Sequence, residues 1–525
     1  MNSLLLKPSF ARSASLQTFS EYKQAEACNL QSSVSHSGEL LEYETLELRV
    51  HPPNINIDNG CDDACTVITV DSANRPGTLV EVVQHFTELG LDVKRARISS
   101  DGGWFVDVFE VTESSGEKVR NTRKLDSIKE MLNVSLRGAD DMAANGDETD
   151  DAHRVETTVF ELAGQDKAGL LADVTQLLTH NGCNVRSAAV WTYKTRVAFV
   201  LSVTEKGQPI QDGIKLQRLR QLLFDMMDNQ CNGIVNIKRV RGEVHHDRRL
   251  HVLMLKEEEK AWVQEMQATP RGGIDSLQAS PADSATSLHG EYAPVGPVAS
   301  TALNRESITR YRSPKHSKPD VHITPCGHNG YWLVTIKCKD RNKLLFDTVC
   351  TLADLDYDVY HATIDSQTGM ASQEYYIKPR LGPSAWCEQR TAKLAAMLES
   401  SIQRRFPKGL KVHVHSVDRF GCLAALTRVL KAANLSIMRA KVKTYAVNNS
   451  SGHTFYVMDA SGDAPDRAMV EAACSQIGGK LVESIEEERS ASSGNHKFSF
   501  SFLNRQWTQT WNGNPSSPCS SNGSS

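Results

Sequence analysis

The sequence predicts an α+β protein made of four copies of one β-α-β-β-α unit, set in two tandem pairs joined by a long linker. Three observations carry this. A strand-to-helix turn occurs four times, as Asn74-Arg75-Pro76-Gly77-Thr78-Leu79, Asp166-Lys167-Ala168-Gly169-Leu170-Leu171, Asp340-Arg341-Asn342-Lys343-Leu344-Leu345 and Asp418-Arg419-Phe420-Gly421-Cys422-Leu423. The columns beyond each turn agree without a gap: Leu79, Leu171, Leu345 and Leu423 stand two past the Gly column, and Ala96, Ala188, Ala362 and Ala440 stand nineteen past it. Finally, the second and third copies are separated by a stretch, 241–330, rich in Ser, Pro, Gly and charge.

Taken in order, residues 1–42 are polar and Ser-rich and read as a disordered segment. Leu46, Leu48 and Val50 alternate with polar residues, a strand signal over 45–50 that His51-Pro52-Pro53 ends. In copy one a strand over 66–70 enters the turn and a helix leaves it. Leu79, Val82 and Phe86 share one helical face, which is therefore buried on a sheet. The helix stops at Gly90, and its copies stop at Gly182, Asp356 and Asn434, residues suited to a left-handed C-terminal turn. The next strand carries the alanine column, whose small side chain predicts close approach of another element. A third strand (105–109, 197–203, 374–377 and 454–457) and a second amphipathic helix follow.

Copies two and four close with strands at 234–240 and 480–485, completing the β-α-β-β-α-β ferredoxin-like plan. Copies one and three are instead preceded by orphan strands at 45–50 and 320–324. Each orphan is expected to fill the fourth-strand slot of the unit it precedes, covering a bare sheet edge. The units then span 43–138, 155–240, 319–408 and 409–486. Residues 241–318 read as a mobile linker, in which His245-His246 is expected to be solvated and Glu257-Glu258-Glu259 to form a solvated helix face. Residues 487–525 read as a disordered tail.

A chain of 525 residues exceeds what one core supports and holds several domains. A net charge of -4 lacks the basic domain of a phosphate-driven nucleic-acid binder, so no nucleic-acid partner is expected. No apolar run reaches the roughly 18 residues of a membrane span. The 12 cysteines are scattered without a C-x-x-C, the pattern of a reduced, intracellular chain. His413 and His415 share a strand face without a third ligand, so no metal site is expected. No Ser-His-Asp, Cys-His or phosphate-loop pattern occurs, which argues against an enzyme and against a cofactor. The first 20 residues hold no Asp or Glu, with Lys7, Arg12 and five serines, a faint likeness to a transit segment. The cytoplasm, then the nucleus, is the expected compartment, with the plastid as runner-up.

The unit, with Asp/Asn-Arg-x-Gly-x-Leu at its first turn, resembles the ACT domain. The whole of 43–486 resembles the plant ACT-domain-repeat (ACR) proteins. Stretches carrying the closer likeness include Ile98-Ser99-Ser100-Asp101-Gly102-Gly103-Trp104-Phe105, Trp191-Thr192, Lys343-Leu344-Leu345-Phe346-Asp347-Thr348-Val349 and Phe455-Tyr456-Val457. The resemblance implies four ferredoxin-like, ACT-like units and a regulatory protein that senses free amino acids. It also implies kinship with the tail of the bacterial nitrogen-sensing uridylyltransferase, and ligands at the turn, across an interface between two domains. The positions carried over are Asn74, Arg75 and Gly77; Asp166, Lys167 and Gly169; Asp340 and Arg341; Asp418, Arg419 and Gly421.

The chemistry of such a turn suits a free amino acid. Backbone N–H groups at a helix N-terminus meet a carboxylate, and the helix dipole favours it. Glycine allows close approach, and the Asn or Asp can meet the ammonium. The same residues also make ordinary N-caps and tight turns, which leaves a second reading: a ligand-independent scaffold that pairs with itself or with another protein. Copy one matches the pattern most fully, and Lys343 in the Gly position departs most.

Overall fold

The computed structural model describes residues 52–137 except 102, 156–268 except 228–232 and 243, and 318–482 except short breaks at 327–329, 368, 382–385, 407 and 446–449. The readings of 1–42, 45–50 and 487–525 lie outside the described residues.

Unit 1 comprises β1 (Asn54–Asp58), β2 (Thr66–Ala73), α1 (Thr78–Glu88), β3 (Leu91–Ser99), β4 (Trp104–Glu113) and α2 (Thr122–Arg137). Unit 2 comprises β5 (Glu156–Gln165), α3 (Leu170–His180), β6 (Cys183–Tyr193), β7 (Arg196–Glu205), α4 (Gly213–Met227) and β8 (Ile234–Arg241), followed by α5 (His246–Ala268). Unit 3 comprises β9 (Asp320–Cys326), β10 (Tyr331–Lys339), α6 (Leu344–Asp354), β11 (Tyr357–Gln367), β12 (Met370–Pro379) and α7 (Glu388–Gln403). Unit 4 comprises β13 (Leu410–Val417), α8 (Cys422–Ala432), β14 (Leu435–Tyr445), β15 (Ser450–Asp459), α9 (Arg467–Ile477) and β16 (Gly479–Val482).

All four units share one antiparallel strand layout, and only the source of the edge strand differs. β8 and β16 close units 2 and 4, while β9 precedes unit 3 and pairs with β10. In unit 1 the slot beside β2 is held by Asn54–Asp58, not by the segment expected at 45–50. Its Asn-Ile-Asn-Ile alternation follows Pro52-Pro53 directly and drives Ile55 under α2.

Tandem order along the chain is not the order in space. One eight-stranded sheet runs β1-β2-β4-β3-β11-β12-β10-β9 and the other β16-β13-β15-β14-β6-β7-β5-β8. Unit 1 therefore joins unit 3, and unit 2 joins unit 4. The alanine column is the seam. Ala96 faces Ile364 and Ala362 faces Ile98, while Ala188 faces Val442 and Ala440 faces Val190. Small side chains there let the first helices of the two partners meet across the joint. Thr175 and Thr427 hydroxyls on α3 and α8 lie 3.0 Å apart at that contact.

The segment read as a mobile linker contains α5, and Glu257 and Glu258 are buried in it. Leu250, Leu253 and Met254 cover Val159, Ala163, Ala189, Trp191, Ala198 and Val200, on the face of the second sheet opposite α3 and α8. The other side of α5 packs on α6 and α7 of the first sheet. Glu257, fully buried, pairs with Arg196 at 3.2 Å and Lys260 at 2.6 Å. Glu258 takes two hydrogen bonds of 3.1 Å from Arg404, and Glu259 pairs with Lys393. His246 meets Ser187 at 3.1 Å.

Where α5, α6 and the α7–β13 connection meet lies a buried ion cluster. Arg405 donates to both oxygens of Asp347, at 2.6 and 2.7 Å, and to Asp247 at 3.3 Å, while stacking 4.5 Å from the Trp191 ring. Asp347 also pairs with Arg341 at 2.8 Å. The guanidinium of Arg405 holds the Asp347 carboxyl below the usual range against the opposing effect of burial. Arg248 binds Asp354 through two bonds of 2.6 Å.

Burial pushes His246, His251 and His453 down to about 4. Unfolded histidines titrate near 6.5. Between these values the unfolded chain binds protons that the folded chain refuses. The stability these neutral histidines contribute is therefore present above about pH 6.5 and lost as pH falls through 4. The expected slope is about 1.4 kcal/mol per pH unit for each histidine. Melting curves between pH 7 and 4 check this, with His251→Gln flattening part of the slope.

Candidate functional site

At all four turns the residue before the helix is left-handed: Gly77 at φ 95°, Gly169 at 77°, Lys343 at 63° and Gly421 at 73°. Backbone geometry alone thus accounts for glycine in this column. Lys343 accepts the strained conformation, at a cost of about 1 kcal/mol, while its ammonium pairs with Asp247 at 2.5 Å. The helix stops match the sequence reading, with Gly90, Gly182, Asp356 and Asn434 all at positive φ.

The basic residue of the turn serves the fold. Arg75 donates to the Ser135 carbonyl in the last turn of α2 and to Glu81 at 2.7 Å. Lys167 reaches the Met226 carbonyl in the last turn of α4 at 2.7 Å. Arg341 reaches the Ser401 and Ile402 carbonyls of α7 at 3.4 and 3.0 Å. In three copies the base therefore ties the first turn to the C-terminal carbonyls of the second helix, where the dipole favours a cation. Arg419 departs from this and is exposed.

The four turns differ in what lies over them. Turn 4 is covered: Asp418 pairs with Arg186 of unit 2 at 2.6 Å, the Gly421 N–H donates to Asn184 at 3.3 Å, and a Cβ on Gly421 would sit 3.0 Å from Thr179. Turn 3 is filled by Lys343; Asp340 anchors it through its N–H, bonded to the Gly369 carbonyl at 2.8 Å. Turn 2 is crossed by Lys431 of α8. A Cβ on Gly169 would lie 2.5–2.9 Å from three carbons of that side chain, whose ammonium pairs with Asp173 at 2.6 Å.

Turn 1 faces space. Among the described residues nothing comes within 4 Å of a Cβ placed on Gly77. Here a cleft opens between the turn and unit 3. One wall is Asn74 to Val80, and the other is Val349 and Ala353 of α6 with Tyr357, Asp358, Val359 and Tyr360 of β11 and Arg380. Asn74 is held by Ser100 at 3.0 Å, and Arg380 grips one Asp358 oxygen through two bonds of 2.9 and 2.7 Å. The first-turn N–H groups of Leu79 and Val80 lack intrahelical acceptors. The cleft thus offers anion-binding amides, a carboxylate, a guanidinium and an apolar floor.

The unit 3 wall was invisible to sequence reasoning, because it becomes relevant only once unit 1 is known to pair with unit 3. A usable signal existed in the column ten past the Gly position, which reads Thr87, Thr179, Ala353 and Lys431. The smallest of these residues covers turn 1, and the longest covers turn 2.

Residues 61–139 match the family described as the ACR family N-terminal ACT domain, and residues 158–224 match the ACT domain. The ACT domain-containing protein ACR4 of Arabidopsis thaliana is 36% identical over 446 residues, covering 84% of this chain and 88% of its own. This chain belongs to the ACR family of ACT domain-containing proteins. ACR3 of the same plant is 32% identical over 452 residues, covering 84% of this ACR-family chain and 89% of its own. The bifunctional uridylyltransferase/uridylyl-removing enzyme of Azospirillum brasilense is 40% identical over 81 residues, which is 15% of this chain and 9% of that enzyme. Among the described residues no helix is long and apolar enough to cross a membrane, and no group of three His, Cys, Asp or Glu is placed to hold a metal.

Proposed function

We propose that this chain is a regulatory protein that binds a free amino acid with an apolar side chain in the cleft between turn 1 and unit 3. The observation that carries the reading is the open space over Gly77, walled by both units. The carboxylate faces the N-terminus of α1, the ammonium meets Asp358, and the side chain lies on Val349, Ala353 and Val359. Because the ligand touches both units, it favours the arrangement in which they are closed together, a population shift set by differential affinity. α6 carries that wall and also, through Asp347 and Asp354, the ion cluster that holds α5.

The covered turns 2, 3 and 4 favour the scaffold reading for those copies, since a turn filled by the protein's own side chains serves pairing. A thermal-shift screen of the free amino acids tests the proposal. Ligand at 100 times its Kd stabilises the native state by about 2.7 kcal/mol. Leucine, isoleucine, valine or methionine should raise the melting temperature. A flat response to every amino acid sinks the reading and leaves the scaffold.

A further inference from the structure

The second sheet has two unlike halves on its outer face. Over unit 2 that face is apolar and covered by α5. Over unit 4 it is basic. β14 sets Arg439, Lys441 and Lys443 on the side away from α8 and α9, because the alternating Ala440 and Val442 are buried with those helices. Strand pairing through β15 brings Lys411, His413 and His415 of β13 into the same three rows. Lys441, Lys443 and His415 are exposed. Among the described residues no carboxylate pairs with Lys411, Lys441 or Lys443. Partial desolvation and then the like charges of Lys343 and Lys443 push the Lys441 ammonium below the usual lysine value. Residues 409–482 carry nine Lys or Arg against five Asp or Glu, although the whole chain has a net charge of -4. The chain-wide charge therefore hides a basic unit.

Rings lie among these bases. Tyr445 is 50% exposed and leans over Gly452, where an added Cβ would meet the Tyr445 ring at 3.5 Å and the His415 ring at 3.9 Å. The glycine thus makes room for both rings above β15. His415 and His413 are 4.4 Å apart between centroids, with their Nε2 atoms at 2.9 Å, and His413 Nδ1 is held by the Thr454 hydroxyl at 3.0 Å. The imidazoles are fixed in place by one another and by β15.

We infer that this face of unit 4 binds a single-stranded nucleic acid, with bases stacked on Tyr445 and His415 and phosphates on Lys441, Lys443 and Lys411. Bases stack on tyrosine and histidine while lysines track the backbone. Alternate residues of a strand stand about 7 Å apart on one face, so Lys441 and Lys443 can reach successive phosphates of an extended strand. An acidic peptide fits less well. Peptides dock through their own main chain at sheet edges, whereas the main-chain groups beneath this face are already paired within the sheet. The proposal does not depend on the turn 1 cleft.

The test is fluorescence anisotropy of labelled oligouridylate and oligodeoxythymidylate titrated with the full chain between about 50 and 200 mM salt. Three lysines predict a log–log salt slope of about -2 for a single strand. Lys441→Gln combined with Lys443→Gln should bring the slope to about -0.7. Tyr445→Ala should weaken binding about tenfold and leave the slope unchanged, since stacking involves no phosphate. Arg467→Gln, at an exposed residue of α9 across the sheet, should change affinity less than about twofold. Oligoglutamate of equal length should bind about tenfold more weakly than the oligonucleotides, because it has nothing to stack. The tighter of the two oligonucleotides names the strand as RNA or DNA. The proposal is overturned if neither binds at the lower salt, if the double lysine variant keeps the wild-type slope, or if Tyr445→Ala binds as tightly as wild type. It is also overturned if oligoglutamate binds equally, which would make the face a docking surface for an acidic protein segment.

Discussion

Replacing Arg405 with Met should destabilise the fold by about 3–5 kcal/mol, the usual consequence of removing one partner from a buried ion pair. Asp347 is fully buried and takes both of its short bonds from this guanidinium. Arg341 remains at 2.8 Å, which places the effect toward the lower end. The same change removes the cation stacked on Trp191 and the bond to Asp247, so α5 loses one of its fastenings to the second sheet. Chemical denaturation should show the loss, and limited proteolysis should cut first within 246–268. Arg419→Met, at an exposed arginine, is the control and should change stability by less than about 0.5 kcal/mol. Equal behaviour of the two variants would show that the cluster does not join the sheets.

The second large effect is on ligand response. Ala353→Lys copies into unit 3 the side chain that covers turn 2, because Ala353 and Lys431 occupy equivalent positions ten past Lys343 and Gly421. Over Gly77 the new side chain meets open space. It points toward Glu81, which stands where Asp173 stands in unit 2. The amino-acid thermal shift, about 2.7 kcal/mol at 100 times Kd, should vanish. Stability without ligand should change by less than about 1 kcal/mol, as the added pair is exposed. Arg380→Met should weaken the response less severely, by freeing Asp358 from its fixed orientation. A full shift retained in Ala353→Lys would place the ligand elsewhere.

Much of this architecture could be read from the chain. Gly90, Gly182, Asp356 and Asn434 marked true helix ends because each adopts the left-handed conformation. The alanine column announced a close approach, although alanine carries no mark of its partner, so the crossing of units 1 with 3 and 2 with 4 was not legible. The edge strand shifted from 45–50 to Asn54–Asp58 because Pro52-Pro53, read as a stop, stands just ahead of a strand. A helix face was legible at Glu257-Glu258-Glu259, but the burial of α5 was not, for a physical reason: both of its sides are covered, so it shows no single apolar stripe, and its acids pair with arginines and lysines distant in sequence. The missed signal was in β7, where Val197, Ala198, Phe199, Val200 and Leu201 are all buried. A strand apolar on both faces needs a cover on each.

At three of the four turns the basic residue has a structural task that the sequence did not announce. Arg75, Lys167 and Arg341 bind carbonyls of the second helix, a task that only tertiary proximity reveals. Gly77 and Gly169 carry the same backbone conformation, and they differ in the residue that a different unit lays over them.

That difference is most directly tested by stoichiometry. Calorimetric titration of the wild-type chain with the apolar amino acid giving the greatest thermal shift should yield one site per chain, and none in Ala353→Lys. Four equivalent sites, or one site that survives Ala353→Lys, would contradict the account.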